Sequence, residues 1–179
     1  GLLRRASQGA YLMAACFGLL EGDEMDKARA WVIEDMRARG GITWGTATTP
    51  VALYGMRALG LEKEACEFLR STRFPSIGYM ARCGATAVWE RWDAIVDGKF
   101  HPHPMNAFDH IGLATVGDWM ITGLAGVSEA ENGYARVRFA PAVDERTGAA
   151  SLTLETVRGR VESGWRVEKG ALEFSCRVP

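Results

Sequence analysis

Between Ser7 and Leu20 the apolar residues Ala10, Tyr11, Ala14, Phe17 and Leu20 recur at intervals of three and four, which predicts one face of a helix reaching from about Arg4 to Leu20. Gly22 and Asp23 turn the chain. Asp23 caps a second predicted helix to about Arg39, whose stripe is Met25, Ala28, Val32 and Met36, and Gly40-Gly41 supplies its stop. The pair reads as an αα-hairpin. A third helix starts with Thr49 as N-cap and Pro50 at the first helical position, carries Leu53, Tyr54 and Leu59, and stops at Gly60. A fourth follows from Glu62 to about Ser71. Helical spacing returns at Ile111, Leu113, Val116, Trp119, Met120 and Leu124, predicting a fifth helix that ends near Gly126.

Phe74 to Asp109 breaks this rhythm with Pro75, Gly78, Gly84, Gly98, Pro102 and Pro104, so a long ordered loop is expected there, and such loops tend to carry function. After Glu129 the period becomes two, at Val137 and Phe139, then Leu152, Leu154 and Thr156, then Val161, Ser163, Trp165 and Val167, then Leu172, Phe174, Cys176 and Val178. Four short antiparallel strands are expected, separated by turns at Asp144 to Gly148, Arg158-Gly159 and Lys169-Gly170. The fold class is therefore α then β: the last helical hairpins of an (α/α)6 toroid over residues 1–128, then an incomplete antiparallel β-sandwich over residues 129–179. A closed six-hairpin toroid has twelve helices, so about seven are expected upstream. A truncation at each end of the chain is expected, and stripes such as Tyr11, Ala14 and Phe17 should lack part of their packing.

Composition narrows the function. With 21 Lys and Arg against 22 Asp and Glu, and no block of like charge, the chain lacks the footprint of a phosphate-backbone binder or a polybasic membrane anchor. No nucleic acid and no membrane are expected as partners. No apolar run reaches the roughly 18 to 20 residues of a spanning helix, and Gly1 to Ala10 lacks the order of a signal peptide. Cys16, Cys66, Cys83 and Cys176 show no C-x-x-C spacing, so a reducing, cytoplasmic setting is the expectation. Trp31, Trp44, Trp89, Trp92 and Trp119 concentrate in the helical part, which suits a large core or a sugar-stacking cleft.

The long loop holds Glu90 between Trp89 and Trp92. Ring faces hinder solvation of a carboxylate while Arg91 or another donor can hold it ionised, which makes a tunable base. Tryptophan with a carboxylate is also what a sugar site needs, because rings stack on C–H faces and carboxylates accept from hydroxyls or activate water. On residue types alone, the same residues fit better as two core anchors with Glu90 paired to Arg91 or another surface cation. His101-Pro102-His103 offers two ligands where zinc takes three or four, so no metal is expected.

Phe74-Pro75-Ser76-Ile77-Gly78-Tyr79-Met80, Gly84-Ala85-Thr86, Trp89-Glu90-Arg91-Trp92-Asp93, Met105-Asn106-Ala107-Phe108-Asp109-His110 and Val116-Gly117-Asp118-Trp119 follow one another in an order and spacing that resemble the bacterial α-L-rhamnosidases of glycoside hydrolase family seventy-eight. Ser7-Gln8-Gly9-Ala10-Tyr11 and Ser163-Gly164-Trp165 extend the resemblance over nearly the whole chain. It departs at Gly45-Thr46-Ala47-Thr48-Thr49-Pro50, which lacks an aromatic and a glycine of the family's run, and at Ile77, where Trp is common.

The resemblance implies an inverting hydrolase that releases terminal L-rhamnose from glycosides, with Glu90 as general base, His110 in the sugar pocket, and Trp44, Trp89, Trp92 and Asn106 as further substrate contacts. A His that caps the following helix or satisfies a buried carbonyl is the alternative for His110. No cofactor is implied. The family's acidic motif, which supplies the proton donor, lies upstream of this segment, so the chain alone is expected to be inactive. Its expected partners are a rhamnosyl glycoside or oligosaccharide and the remainder of the enzyme or a second copy. The competing function is a non-catalytic carbohydrate-binding or subunit-assembly module.

Overall fold

A computed structural model describes residues 6–179 as two compact units, residues 6–116 and 117–179. The first unit is helical. It holds α1 (Gln8–Cys16), α2 (Asp23–Arg39), α3 (Thr49–Ala58), α4 (Glu62–Arg70), α5 (Ile77–Arg82), a β1 (Ile95–Val96) and β2 (Lys99–Phe100) hairpin, and α6 (Ile111–Ala114). The short α7 (Val116–Trp119) and a π-helical turn, Met120–Leu124, lead into β3 (Val127–Glu131), a 3-10 turn at Asn132–Tyr134, β4 (Arg136–Phe139), β5 (Ala149–Thr156), β6 (Gly159–Glu168) and β7 (Ala171–Arg177).

The helix starts obey local chemistry, with shifts of one residue. Ser7 caps α1, its hydroxyl accepting the Ala10 N–H at 3.1 Å, so α1 starts after it; the predicted start at Arg4 lies outside the described residues. The helix ends at Cys16 rather than Leu20, because Gly18 takes a left-handed φ of 64°. Phe17 is consequently 64% exposed, whereas Tyr11 and Ala14 are buried, Tyr11 with its ring centroid 5.0 Å from that of Trp31. The expected packing gap thus falls on Phe17 and not on Tyr11 or Ala14. Thr48, not Thr49, stands at the start of α3, and Pro50 occupies its first turn where no N–H is needed. Gly22 stands at the N-cap of α2, which begins with three acidic residues in its first turn and ends on Gly40 in the left-handed conformation.

Three departures from the predicted elements have identifiable causes. The long loop contains α5, capped by Ser76, whose hydroxyl accepts the Tyr79 N–H at 3.0 Å and donates to the Ser71 carbonyl at 2.8 Å. It also contains the β1–β2 hairpin, whose turn is Asp97-Gly98 with φ of 51° and 71°, the left-handed pair that a two-residue hairpin loop requires. The single helix expected from Ile111 to Gly126 breaks into α6, α7 and the π-helical turn. Thr115 Oγ1 donates to the Gly112 carbonyl at 2.7 Å, competing for the backbone, and the Trp119 indole lies where a Cβ on Gly123 would sit.

The second unit contains a β3–β4 ribbon and a β5–β6–β7 sheet, both antiparallel. The first ribbon strand begins at Val127, before the predicted change of period, because Ser128 through Glu131 is too polar to show alternation. Alternation in β6 buries Val161, Ser163 and Trp165. Trp165 Nε1 donates to the Leu124 carbonyl at 2.8 Å and Ser163 Oγ to the Ala125 carbonyl at 2.8 Å, so the polar atoms on that buried face are satisfied by the end of the π-helical turn.

The helical core is built on the α1–α3 contact. Leu12, Leu53 and Met56 are fully buried, and a Cβ added at Gly55 would stand 2.2 Å from the Leu12 carbonyl oxygen. The backbone of α1 therefore occupies the space a side chain would need. Gly55→Ala is expected to destabilise the protein by about 1 to 3 kcal/mol, the usual range for overpacking. Urea unfolding checks it; an unchanged midpoint would mean that α1 moves away without cost.

Candidate active site

Gln8 sets the entrance to the site. Fully buried at the start of α1, its amide nitrogen donates to Asp35 at 2.9 Å and to the Gly41 carbonyl at 3.1 Å, while its amide oxygen accepts the Thr43 N–H at 2.8 Å. These bonds fasten the 41–43 segment to α1 and α2, and the next residue is Trp44. The Trp92 indole N–H donates to the Trp44 carbonyl at 2.8 Å, and Phe68 joins the two rings at centroid distances of 5.8 and 5.7 Å. An aromatic floor results, with Trp44 4% and Trp92 8% exposed.

Above that floor lies a cleft of about 410 Å³ lined by Trp44, Trp92, Glu90, Arg91, Asp93 and Met105, with Ile42 to Thr46 and Phe74-Pro75 completing the wall. Its volume lies within the range of small-ligand sites. Glu90 is held from two directions. Its backbone N–H donates to the Ala107 carbonyl at 2.9 Å, and its carboxylate oxygen Oε2 accepts the Ala107 N–H at 3.0 Å. The neighbouring rung runs from the His110 N–H to the Val88 carbonyl at 2.8 Å, so residues 88–90 and 107–110 are pinned side by side.

Arg91 does not pair with Glu90. Its Nε and a terminal nitrogen donate to the two oxygens of Asp93 at 2.9 and 3.0 Å, a bidentate fork. That fork holds the Asp93 carboxyl below its ordinary range against the opposing effect of burial, and raises the Arg91 guanidinium in turn. His101 Nε2 lies 3.5 Å from the same carboxylate, its Nδ1 accepting the His103 N–H at 3.1 Å. Among the described residues no cation forms an ion pair with Glu90.

The other candidates are placed as follows. Trp89 is 2% exposed, away from the cleft lining, with its ring 5.7 Å from Phe108 in an edge contact. Asn106 ties the loop from inside, its amide donating to the His101 carbonyl at 3.1 Å and, at 3.4 Å, to that of Ala94. His110 is half-buried and caps α6, Nδ1 accepting the Gly112 N–H at 3.0 Å. A neutral ring that accepts at Nδ1 carries its proton at Nε2. Asp93, Thr46 and Met105 join the lining without having been singled out, and so does Arg91, which was expected only as a partner of Glu90. The opposite charges of Arg91 and Asp93, two residues apart beside Glu90, were the available signal for that pair. The Trp44 indole nitrogen and Thr46 Oγ1, both in lining residues, are buried without a protein partner.

Residues 1–124 match the model of the bacterial alpha-L-rhamnosidase 6 hairpin glycosidase domain, and residues 126–179 match that of the bacterial alpha-L-rhamnosidase C-terminal domain. The chain belongs to the bacterial alpha-L-rhamnosidase family. An alpha-L-rhamnosidase of Streptomyces avermitilis is 31% identical over 100% of this chain and 18% of its own length, and one of Formosa agariphila is 29% identical over 97% and 19%. The chain thus spans about a fifth of the length of the curated relatives it matches. The crystal structure of the Streptomyces avermitilis alpha-L-rhamnosidase complexed with L-rhamnose matches with a TM-score of 0.89 at 30% identity, covering 97% of this chain and 17% of that one. The Dictyoglumus thermophilum alpha-L-rhamnosidase structure matches with a TM-score of 0.82 at 25% identity, covering 97% and 19%. The fold class is accordingly that of the last helical hairpins of an (α/α)6 toroid followed by a segment of antiparallel β-sandwich.

In this rhamnosidase-family chain the Arg91–Asp93 fork should respond to acid in one direction only. A carboxyl held low in the folded state contributes stability that is fully present above the ordinary value of about 3.9 and is lost as pH falls through its lowered value. Asp93→Asn is therefore expected to be less stable than the natural chain at neutral pH, with the gap closing under acid. Urea midpoints of the two chains across pH check it; a gap that is constant with pH would mean that the pair contributes nothing through its charge.

Proposed function

We propose that this chain carries the general base and part of the sugar pocket of a larger inverting α-L-rhamnosidase that releases terminal L-rhamnose from glycosides. The observation that supports it is Glu90: a carboxylate on the wall of a Trp-floored cleft, oriented by the Ala107 N–H and not neutralised by an ion pair with any described residue. In this reading Glu90 takes a proton from the attacking water while a protonated carboxyl outside the chain donates to the leaving oxygen, with roughly 6.5 to 9.5 Å between the two groups. Trp44 and Trp92 stack on the sugar, and His110 offers its Nε2–H to a hydroxyl. Trp89 and Asn106 act from beneath, holding the loops that carry Glu90 and His110.

In the complete enzyme Glu90→Gln keeps the side chain's shape but cannot accept water's proton. Turnover of p-nitrophenyl α-L-rhamnoside is expected to fall by about 10² to 10⁴, the usual worth of a positioned base, with the melting temperature unchanged. Retained turnover would assign Glu90 to structure and favour a module that binds sugar without cleaving it. Proton NMR of the first-formed rhamnose tests inversion directly: the β anomer is expected, and the α anomer would refute the single-displacement scheme.

His110 needs two substitutions, because it also caps α6. His110→Ala removes cap and ring together, whereas His110→Asn restores an N-cap acceptor. Both are expected to lose about tenfold or more in kcat/KM, the cost of one good hydrogen bond. Full activity in His110→Asn would leave capping as the residue's whole contribution.

A further inference from the structure

Beside the first cleft lies a second, of about 400 Å³, formed between the C-terminal ends of α2 and α4. The two share Ile42, Phe74 and Pro75, so they adjoin across one ridge. We infer that the second cleft is a saccharide subsite that holds the sugar attached to the rhamnose being released. The inference rests on the reading of the first cleft as the place of cleavage, and it narrows the substrate class to a rhamnosyl oligosaccharide whose neighbouring unit is uncharged.

The chemistry of the walls carries this. Phe74 on the ridge is 50% exposed, and its ring stands in an edge contact with Tyr79 at a centroid distance of 5.4 Å, so an aromatic face is presented between the clefts at a supported position. Phe68 lines the second cleft and also packs on both Trp44 and Trp92 of the first, making one aromatic layer beneath the pair. Such rings suit the C–H faces of successive pyranoses. The polar groups are of both signs: Arg37 and Arg73 against Glu64 and Glu67. Guanidinium groups donate to hydroxyl oxygens and carboxylates accept from hydroxyl hydrogens. Two cations balanced by two anions provide no net field for a uronate or sulfated sugar, which favours a neutral polyol.

Size agrees with this assignment. Each cleft falls near the lower end of the range for small-ligand sites, so each suits a single sugar ring and together they suit two joined rings. A simple aryl aglycone would use the ridge but not the polar walls beyond it.

The test is made in the complete enzyme with the double variant Arg37→Ala, Glu67→Ala, both exposed helix positions outside the first cleft. The expected result is a fall of about tenfold in kcat/KM for α-L-rhamnosyl-(1→2)-L-rhamnose, with kcat/KM for p-nitrophenyl α-L-rhamnoside within about twofold of the natural enzyme, corresponding to the loss of one or two hydroxyl contacts. Equal falls on both substrates, or no change on the disaccharide, would overturn the subsite. Titration calorimetry with the S-linked, non-hydrolysable analogue of the same disaccharide separates this from the assignment of Glu90. Weaker binding by the double variant than by Glu90→Gln supports the subsite even if Glu90→Gln retains turnover, which would refute the base alone; equal binding by the two overturns the subsite.

Discussion

The cleft depends on a buried hydrogen bond from one tryptophan to the backbone of another. A buried indole N–H is costly without a partner, and the Trp92 N–H finds one in the Trp44 carbonyl at 2.8 Å, while the Trp44 N–H is buried without a protein partner. That bond spans 48 residues of chain, so it joins the segment after α2 to the loop that carries Glu90. Gln8 fastens the same segment from the other side through three bonds to Asp35, Gly41 and Thr43. With its floor fixed at both ends, the wall that holds Glu90 needs only a local tie, and the reciprocal bonds with Ala107 supply it. A fully buried glutamine amide is costly unless it is satisfied, which makes the arrangement specific as well as stable.

The charges around Glu90 follow from a turn in the chain. The chain turns at Trp92-Asp93, with the Ala94 N–H returning to the Arg91 carbonyl at 3.4 Å, and Arg91 meets Asp93 within that turn. The fork takes the Arg91 hydrogen bonds to Asp93, so the Glu90 carboxylate feels the guanidinium only as a nearby charge and accepts its hydrogen bond from a backbone N–H. A single N–H orients a carboxylate while leaving its remaining lone pairs for water or a hydroxyl. Glu90, Arg91, Trp92 and Asp93 consequently all line the one cleft, while Trp89 does not.

Length matters for how the family likeness is used. The chain spans about a fifth of its curated relatives. The experiments on Glu90, His110 and the second cleft therefore belong to the complete enzyme. Those on Gly55 and Asp93 read packing and charge within the helical unit itself, because Gly55 meets Leu12 and Asp93 meets Arg91 there.

The sequence by itself determined the helices whose apolar stripes and stop signals agree, α2, α3 and α4, and the alternation that makes β5, β6 and β7, because those patterns record burial and local backbone preference. It also brought out Glu90 between two tryptophans, and its motifs carried the family likeness. It did not show α5, the β1–β2 hairpin, or the breaking of the last helix. The first two are short elements whose signals, Ser76 and Asp97-Gly98, lie among other loop residues, and the third follows from Trp119 meeting Gly123, a contact that spacing alone reads as helix. Only the tertiary structure decided which tryptophans face the cleft. Trp89 and Trp92 have the same composition and nearly the same position in the chain. The first is turned into the core against Phe108, while the second is drawn to the cleft floor by the Trp44 carbonyl, and that partner is distant in sequence and near only in the fold.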